Sequence, residues 1–522
     1  MNRELLRSGM VRLRPLGTES LTGFDWKDHS RSDKSWWQRM ESCTYLLPFL
    51  DSGTPADLQF ARDWFIGWYA SHEQDPMPNP GSDDAMSVAI RGMVFIRMLK
   101  IAESGDTRDV ELTTKLRRSI KWHQSFLADS VNASERSNHA LWEALGLFET
   151  TRVIPDSSTT ELALERLRFI TDLSVSDMGT HLEHSTDYHF YFLNWLTEFV
   201  EYFQALAPFE SATIQSLSED QRKMASAARY LYAHDYELPQ IGDTDAGHFA
   251  DERWRGEVDE PVFFDREGGY AIYKGIGKDR RYVAFCIQNF DYEPVLPFHF
   301  HNDVLAVYLN IDGEVILGDQ GRFSYERTIE RTYLMSLAAH NVIFPKSIVI
   351  PKTPGIYLAK RVSEERSKNQ VRFGAALRDD IVRRTVRIPD SGPIIVVEDT
   401  ITAKENYYLL WHLGTDVADI KEGSRKRTAD RRDYKWMLTM RSGREFELRI
   451  RIEGRNLYEA NEVTIIEGQQ RPRLGWRSAA YKQFEPSPVI KLEFQALDMI
   501  RITTSVRHKR NFWQRLFGRD AQ

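Results

Sequence analysis

A chain of 522 residues exceeds what one ordinary core needs, so two or three domains are expected. Hydrophobic residues make up 42% and aromatics 12%, with 28 Phe, 21 Tyr and 13 Trp, which excludes a disordered chain. The balance of 69 Lys+Arg against 76 Asp+Glu gives a net charge of −7 and argues against a protein that works by neutralising nucleic acid; two cysteines, Cys43 and Cys286, argue against a disulfide framework or a cysteine metal cage.

The opening stretch MNRELLRSGMVRLRPLGTES carries charges but no apolar segment of signal-peptide length, and no run approaches the roughly 18 apolar residues of a transmembrane span. A cytoplasmic location is the expectation, with periplasmic or secreted as the alternative if a signal has been removed. From about Ser35 to Tyr232, apolar residues recur at three and four. Leu141, Ala144, Leu145 and Phe148 share one helical face, and Tyr188, Phe192, Trp195, Phe199 and Tyr202 another. Near residue 250 the texture changes to short segments such as YAIYKG, RYVAFCIQ, VLAVYLNIDGEVILGD and FELRIRIEG, separated by Asp-Gly and Gly-rich turns. The spacing predicts a helical domain over 1–250 and an antiparallel β-sandwich over 251–522, joined through the Gly-, Asp- and Pro-rich PQIGDTDAGHFADERWRGEVDEP. The basic tail RHKRNFWQRLFGRDAQ spaces Phe512, Trp513, Leu516 and Phe517 as a terminal helix.

Seven of the fourteen histidines fall in four short segments: NHALWEALGLF (His139), HLEHSTDYH (His181, His184, His189), FHFHND (His299, His301) and AAHNV (His340). Two segments lie in the helical half and two in the strand half, so a shared site would sit where the domains meet. Taken singly, each residue has a plainer reading. Asn138 is a good helix N-cap, Tyr188 begins an aromatic stripe, and His299 suits a hydrogen-bonded structural histidine.

In this order, Asn138-His139, HLEHSTDYH, the H-x-H-x-D run, GDQG and AAHN resemble the heparinase II/III-like polysaccharide lyases, which include glycosaminoglycan and alginate lyases. The resemblance implies an incomplete (α/α) toroid followed by an antiparallel β-sandwich, with an acidic polysaccharide or oligosaccharide lying in the cleft. It also implies β-elimination at a uronic acid. There a carboxylate must be neutralised or hydrogen-bonded, a base must take the proton from the carbon beside it, and an acid must protonate the departing oxygen. His and Tyr, with ordinary pKa values of about 6.5 and about 10, can fill the last two roles. By resemblance, Asn138 and His139 hold the carboxylate, Tyr188 is acid, base or both, and His299 is the facing catalytic histidine. Arg91, Glu183, His184 and Arg331 are candidate substrate contacts; the two arginines could equally form structural salt bridges, and Glu183 could be a solvated acid or orient a histidine. His412 could line the cleft, though a buried sheet histidine is the plainer reading.

His301, Asp319 and His340 match the zinc ligands of those relatives that carry the metal, and two imidazoles with a carboxylate suit a structural Zn²⁺. A regular hairpin turning at Asp312-Gly313 would pair His301 with Ser324 and leave Asp319 on the opposite face, so a bulge or a neighbouring strand must bring the ligands together. The sequence departs from the usual pattern at Phe300, at Gln320 and at Ser185-Thr186-Asp187. Asp187 adds a carboxylate beside Tyr188, which would repel an anion or raise the tyrosine pKa. Two other classes stay open: a non-catalytic polysaccharide-binding protein, and a glycoside hydrolase, which needs two carboxylates flanking the bond. No nucleic-acid partner or transmembrane segment is expected; an oligomer is possible.

Overall fold

The structure is a computed structural model. It describes residues 3–13, 17–22, 24–26, 34–72, 85–104, 109–134, 137–206, 211–287, 299–347, 359–367, 370–377, 380–402, 406–454, 462–495 and 499–509. The expected terminal helix with Phe512, Trp513, Leu516 and Phe517 lies outside them, as do Pro297 and Phe298. The chain forms two compact units. One is Met1–Ser174 with Glu210–Leu217, and the other is Val175–Phe209 with Ser218–Gln522.

The first unit is built mainly on the helices Pro55–His72, Ala85–Ser104, Val110–Ala128, His139–Thr151 and Ser157–Ser174. Their starts follow local rules: the Asp109 carboxylate accepts from the Leu112 N–H at 2.9 Å, and Asp156 accepts from Thr159 at 2.9 Å. Leu141, Ala144, Leu145 and Phe148 are buried together, as the spacing predicts. Their helix runs so close to Ala85–Ser104 that a Cβ on Gly146 would stand 2.6 Å from the Ala89 Cβ. Inside this unit Arg91 is buried. It reaches the Glu41 carboxylate at 2.7 Å and His123 at 3.1 Å, and its guanidinium lies 4.8 Å from the Trp68 ring. Arg91 is therefore a partner for a buried protein carboxylate rather than the substrate contact expected of it. No described helix is long and apolar enough to cross a membrane.

The second unit holds the helix Thr186–Ala205 and the described strands from Val262 onward, so the change from helix to strand falls between Ala228 and Val262. All described strand pairs of this unit are antiparallel. A five-stranded sheet follows chain order from Val262–Asp265 through Tyr270–Lys274, Arg281–Cys286 and Val307–Ile311 to Glu314–Leu317. Arg281–Cys286, Val307–Ile311 and Glu314–Leu317 are buried on both faces, which explains their near-continuous apolar sequences. The long strand Arg431–Met440 of a nine-stranded sheet instead alternates, burying Tyr434, Trp436, Leu438 and Met440. A third sheet of four strands contains Asn406–His412. His412 is buried there with its Nε2 3.1 Å from the Ala338 carbonyl, a structural place.

On the helix Thr186–Ala205 the buried side carries Phe192, Leu193, Leu196, Phe199, Val200 and Phe203. Tyr188, Trp195 and Tyr202 fall beside it, half-buried, and correct the five-aromatic face read from the sequence. The leucines and valine share the core with the three phenylalanines and rotate the face.

Candidate functional site

The site grows from the backbone of PQIGDTD, the stretch read from the sequence as a domain connection. It is buried instead, because three other segments are tied to it. Gly242 has φ +60°, and a Cβ there would meet the His184 carbonyl oxygen at 2.1 Å and the His299 carbonyl oxygen at 2.7 Å. Only glycine allows this approach at no steric cost. One residue on, the Asp243 N–H donates to the His299 carbonyl at 2.9 Å. The Thr244 hydroxyl then lies 3.0 Å from Ser185 Oγ and 2.9 Å from Thr186 Oγ1, and it accepts from the Asp187 N–H at 3.2 Å, fastening the start of the Tyr188 helix. We expect Gly242→Ala to lower Tm strongly and to remove whatever activity the site has; a thermal melt equal to that of wild type would mean that this contact relaxes at little cost.

Asp243, fully buried, is the charge at the centre. Its Oδ2 lies 2.8 Å from His299 Nδ1 and its Oδ1 3.0 Å from His301 Nε2, while both outer nitrogens of Arg331 donate to the same carboxylate, Nη2 at 2.8 Å. Burial works to raise this carboxyl. The charge of Arg331 and the hydrogen bonds from the two histidines outweigh it and hold the group well below the usual carboxylate range. The bonding assigns the tautomers: His299 donates from Nδ1 and keeps Nε2 for chemistry, and His301 donates from Nε2 and keeps Nδ1. Arg331, expected to grip substrate, is buried and engaged with Asp243. Its helix, Ile329–Leu334, starts on Thr328, whose hydroxyl accepts from the Arg331 N–H at 3.2 Å.

The ring of His299 stacks on that of Tyr188, centroids 3.5 Å apart and 16° between planes, and His299 Nε2 is 3.6 Å from Glu183 Oε2. The Tyr188 hydroxyl is 2.6 Å from the hydroxyl of Tyr325, which is 41% exposed. Desolvation lifts the Tyr188 phenol well above its ordinary value, with the charge of Arg322 the largest opposing influence. Arg322 is fixed by Asp245 through Nε at 2.7 Å and Nη2 at 2.6 Å, and it lies 4.6 Å from the Tyr325 ring. Asp187, expected to press on Tyr188, is buried and turned to His248 Nδ1 at 2.8 Å and to the Asp245 N–H at 2.9 Å. That hydrogen bond raises the His248 pKa. Arrangements of this kind, a phenol pair against an imidazole of fixed tautomer, can move protons in either direction.

The remaining histidines separate into kinds. His181 packs on Phe192, centroids 4.6 Å apart, and His189 reaches the Met224 carbonyl at 3.2 Å, so both serve packing. His184 is left-handed at φ +52°, and burial pushes its pKa down to about 4. Asn138 and His139 belong to the first unit. Asn138 stands at the N-cap position of His139–Thr151, yet its side chain makes no cap hydrogen bond; the Ser137 hydroxyl accepts from the His139 N–H at 3.2 Å instead.

His301, Asp319 and His340 each offer a ligand atom, and these atoms lie within 4.8 Å of one another. His301 is not on a strand. Its loop turns at Leu305, φ +70°, and the strand pairing that follows is shifted between Leu309 and Asn310, which is how Asp319 escapes the simple hairpin register. His340 Nδ1 is 2.9 Å from Asp319 Oδ2, while His340 Nε2 and His301 Nδ1 are buried without a hydrogen-bond partner among the described residues. Burial pulls His301 down to about 4, leaving the neutral imidazole that binds cations. Donor set, spacing and orphaned nitrogens therefore fit a metal ion. Sequence reading missed Asp243, Asp245, Arg322 and Tyr325. The one signal for Asp243 and Asp245 was a Gly-Asp pair followed by a second Asp, which has the same composition as a linker.

No curated protein matches the chain by sequence. Among solved structures, a heparan sulfate lyase HepC mutant from Pedobacter heparinus matches with a TM-score of 0.65 at 14% identity, over 98% of this chain and 83% of that one. A heparinase III crystal structure matches with a TM-score of 0.70 at 14% identity, over 92% of this chain and 79% of that one. At this identity the likeness is one of fold. The family model described as "Heparinase II/III-like, C-terminal" matches residues 258–509. The segment carrying His299, His301, Asp319, Arg331 and His340 is thus the part of the chain that matches the heparinase II/III-like C-terminal family model, and the resemblance read from the sequence holds.

Proposed function

We propose that the protein is a polysaccharide lyase that cleaves a uronate-containing glycan by β-elimination. The observation that carries this reading is the stack of Tyr188 on His299, with the Tyr188 hydroxyl on Tyr325 and the His299 tautomer fixed by Asp243. In this reading a base of the Tyr188–His299 pair takes the proton from the carbon beside the carboxylate. The electron pair forms the new carbon–carbon double bond, the glycosidic bond breaks, and a phenol protonates the departing oxygen. Asn138 and His139 are the groups assigned to the carboxylate. An incomplete (α/α) toroid followed by a β-sandwich is the architecture that goes with it. A hydrolase would need two carboxylates free to flank the bond, and of the pair nearest the site, Glu183 and Asp187, the second is tied to His248, which favours the lyase.

The metal of this reading is Zn²⁺, held by His301, Asp319 and His340. It would supply structural cross-linking of the loops around His299. Stripping metal with a chelator is expected to lower Tm, zinc to restore it, and His340→Ala to erase that response. An equal Tm with and without chelator, on protein shown by metal analysis to have been loaded, would remove zinc from the proposal.

The deciding experiment incubates the protein with glycosaminoglycans, alginates and bacterial capsular polysaccharides and follows the ultraviolet absorbance of an unsaturated uronate, with Tyr188→Phe alongside. A rise that the variant loses supports the lyase. Reducing ends without absorbance, or binding alone, would replace it with a hydrolase or a binding protein.

A further inference from the structure

Part of the second unit outside the catalytic cluster reaches Tyr325 from the other side. The strands Trp476–Ala480 and Gln483–Pro486 pair antiparallel, Ala480 opposite Gln483, so Tyr481 and Lys482 form the tip of a hairpin. Lys482 is left-handed at φ +59°, which closes the turn tightly. The hairpin is bound to the loop that carries Arg322 and Tyr325 by backbone bonds, Ser478 N–H to Gln320 O at 3.0 Å and Lys482 N–H to Phe323 O at 2.7 Å. Lys482 Nζ adds an ion pair with Glu326 at 2.7 Å. At its base Phe484 stacks on Trp476, centroids 4.9 Å apart and 2° between planes, and meets Phe323 at 5.9 Å and Tyr333 at 6.2 Å.

A tip braced in this way presents the half-buried ring of Tyr481 with its centroid 6.4 Å from that of Tyr325, inclined at 49°. The rings of His299, Tyr325 and Tyr481 therefore form a continuous series, with Tyr325 5.9 Å from His299. We propose that Tyr481 is a specificity-determining residue: it stacks on the apolar face of the sugar next to the one being cleaved, on the Tyr325 side. The inference rests on the lyase reading and names one further contact of the same acidic glycan. Aromatic rings of this kind offer a large apolar area at little cost in side-chain entropy.

The test compares wild type, Tyr481→Ala and Tyr481→Phe on the uronate polymer that wild type cleaves best. Stacking predicts that KM for Tyr481→Ala rises about tenfold, as the loss of one aromatic contact commonly does, with kcat within about twofold, while Tyr481→Phe stays near wild type. If Tyr481→Ala lowers Tm, Tyr481→Leu keeps the apolar bulk without the flat face and is read in its place. An unchanged KM, a fall in kcat alone, or a Tyr481→Phe variant as weak as Tyr481→Ala overturns the proposal while leaving the lyase reading intact. Wild type that neither cleaves nor binds any uronate glycan overturns both.

Discussion

Asp243→Asn is expected to destabilise the protein by about 3–5 kcal/mol, the usual cost of leaving one member of a buried ion pair without its partner. Arg331 would keep its charge in a dry place, and an amide cannot accept from His299, His301 and both outer nitrogens of the guanidinium together. Activity should fall as well, because His299 would lose the acceptor that keeps its proton on Nδ1. The pH dependence has a definite sign. The carboxyl is held well below its ordinary value in the folded chain, so its contribution is present above the ordinary carboxylate range and disappears as pH falls through the lowered folded value. Urea unfolding of wild type and variant at neutral and acidic pH measures both effects. The difference should shrink on acidification, and a neutral-pH loss below about 1 kcal/mol would mean that Asp243 is not the charge that balances Arg331.

For Tyr188→Phe the expectation is a loss of roughly 10²–10⁴ in kcat, the range for removing a general acid or base, with little change in Tm. The phenyl ring keeps the stack on His299, and the lost hydroxyl leaves behind Tyr325, which is solvent-accessible enough to bond water. Tyr325→Phe separates the roles within the pair. A loss as large as that of Tyr188→Phe assigns a proton transfer to each hydroxyl, whereas a loss of a few-fold makes Tyr325 an orienting neighbour. Retention of full activity in Tyr188→Phe would move the proton chemistry to His299 alone.

What could be read in the sequence depended on pattern. The change from helical to strand periodicity near residue 250 was visible because each period comes from a burial pattern repeated over many residues. The crowding of histidines into four short segments was visible because histidines are few, whereas the grouping of His301 and His340 with Asp319 came from the family resemblance alone, since a regular hairpin register set Asp319 on the opposite face. Asp243 was hidden by its setting: glycine, aspartate and threonine are what a connecting loop contains, and only three-dimensional approach shows that Gly242 is pressed against two carbonyls. Arg91 and Arg331 kept two readings in the sequence for a related reason. A guanidinium that binds a substrate carboxylate and one that binds a buried protein carboxylate have the same sequence, and burial decides between them. Tyr325 stands in a loop without periodicity, and nothing local marks it.

Domain shuffling could not have moved this site as the segment 258–509 alone. The compact unit begins at Val175, well upstream, and the upstream part supplies Glu183, Tyr188 and Asp243. A fragment cut at the family boundary would leave His299, His301 and Arg331 in search of the one carboxylate that all three use. Such a fragment would be prone to misfold, since the buried guanidinium of Arg331 would have lost its counterion. The heritable and expressible piece is therefore the physical unit, including the helix Thr186–Ala205 and the PQIGDTD loop, and chain order understates how early in the sequence it starts.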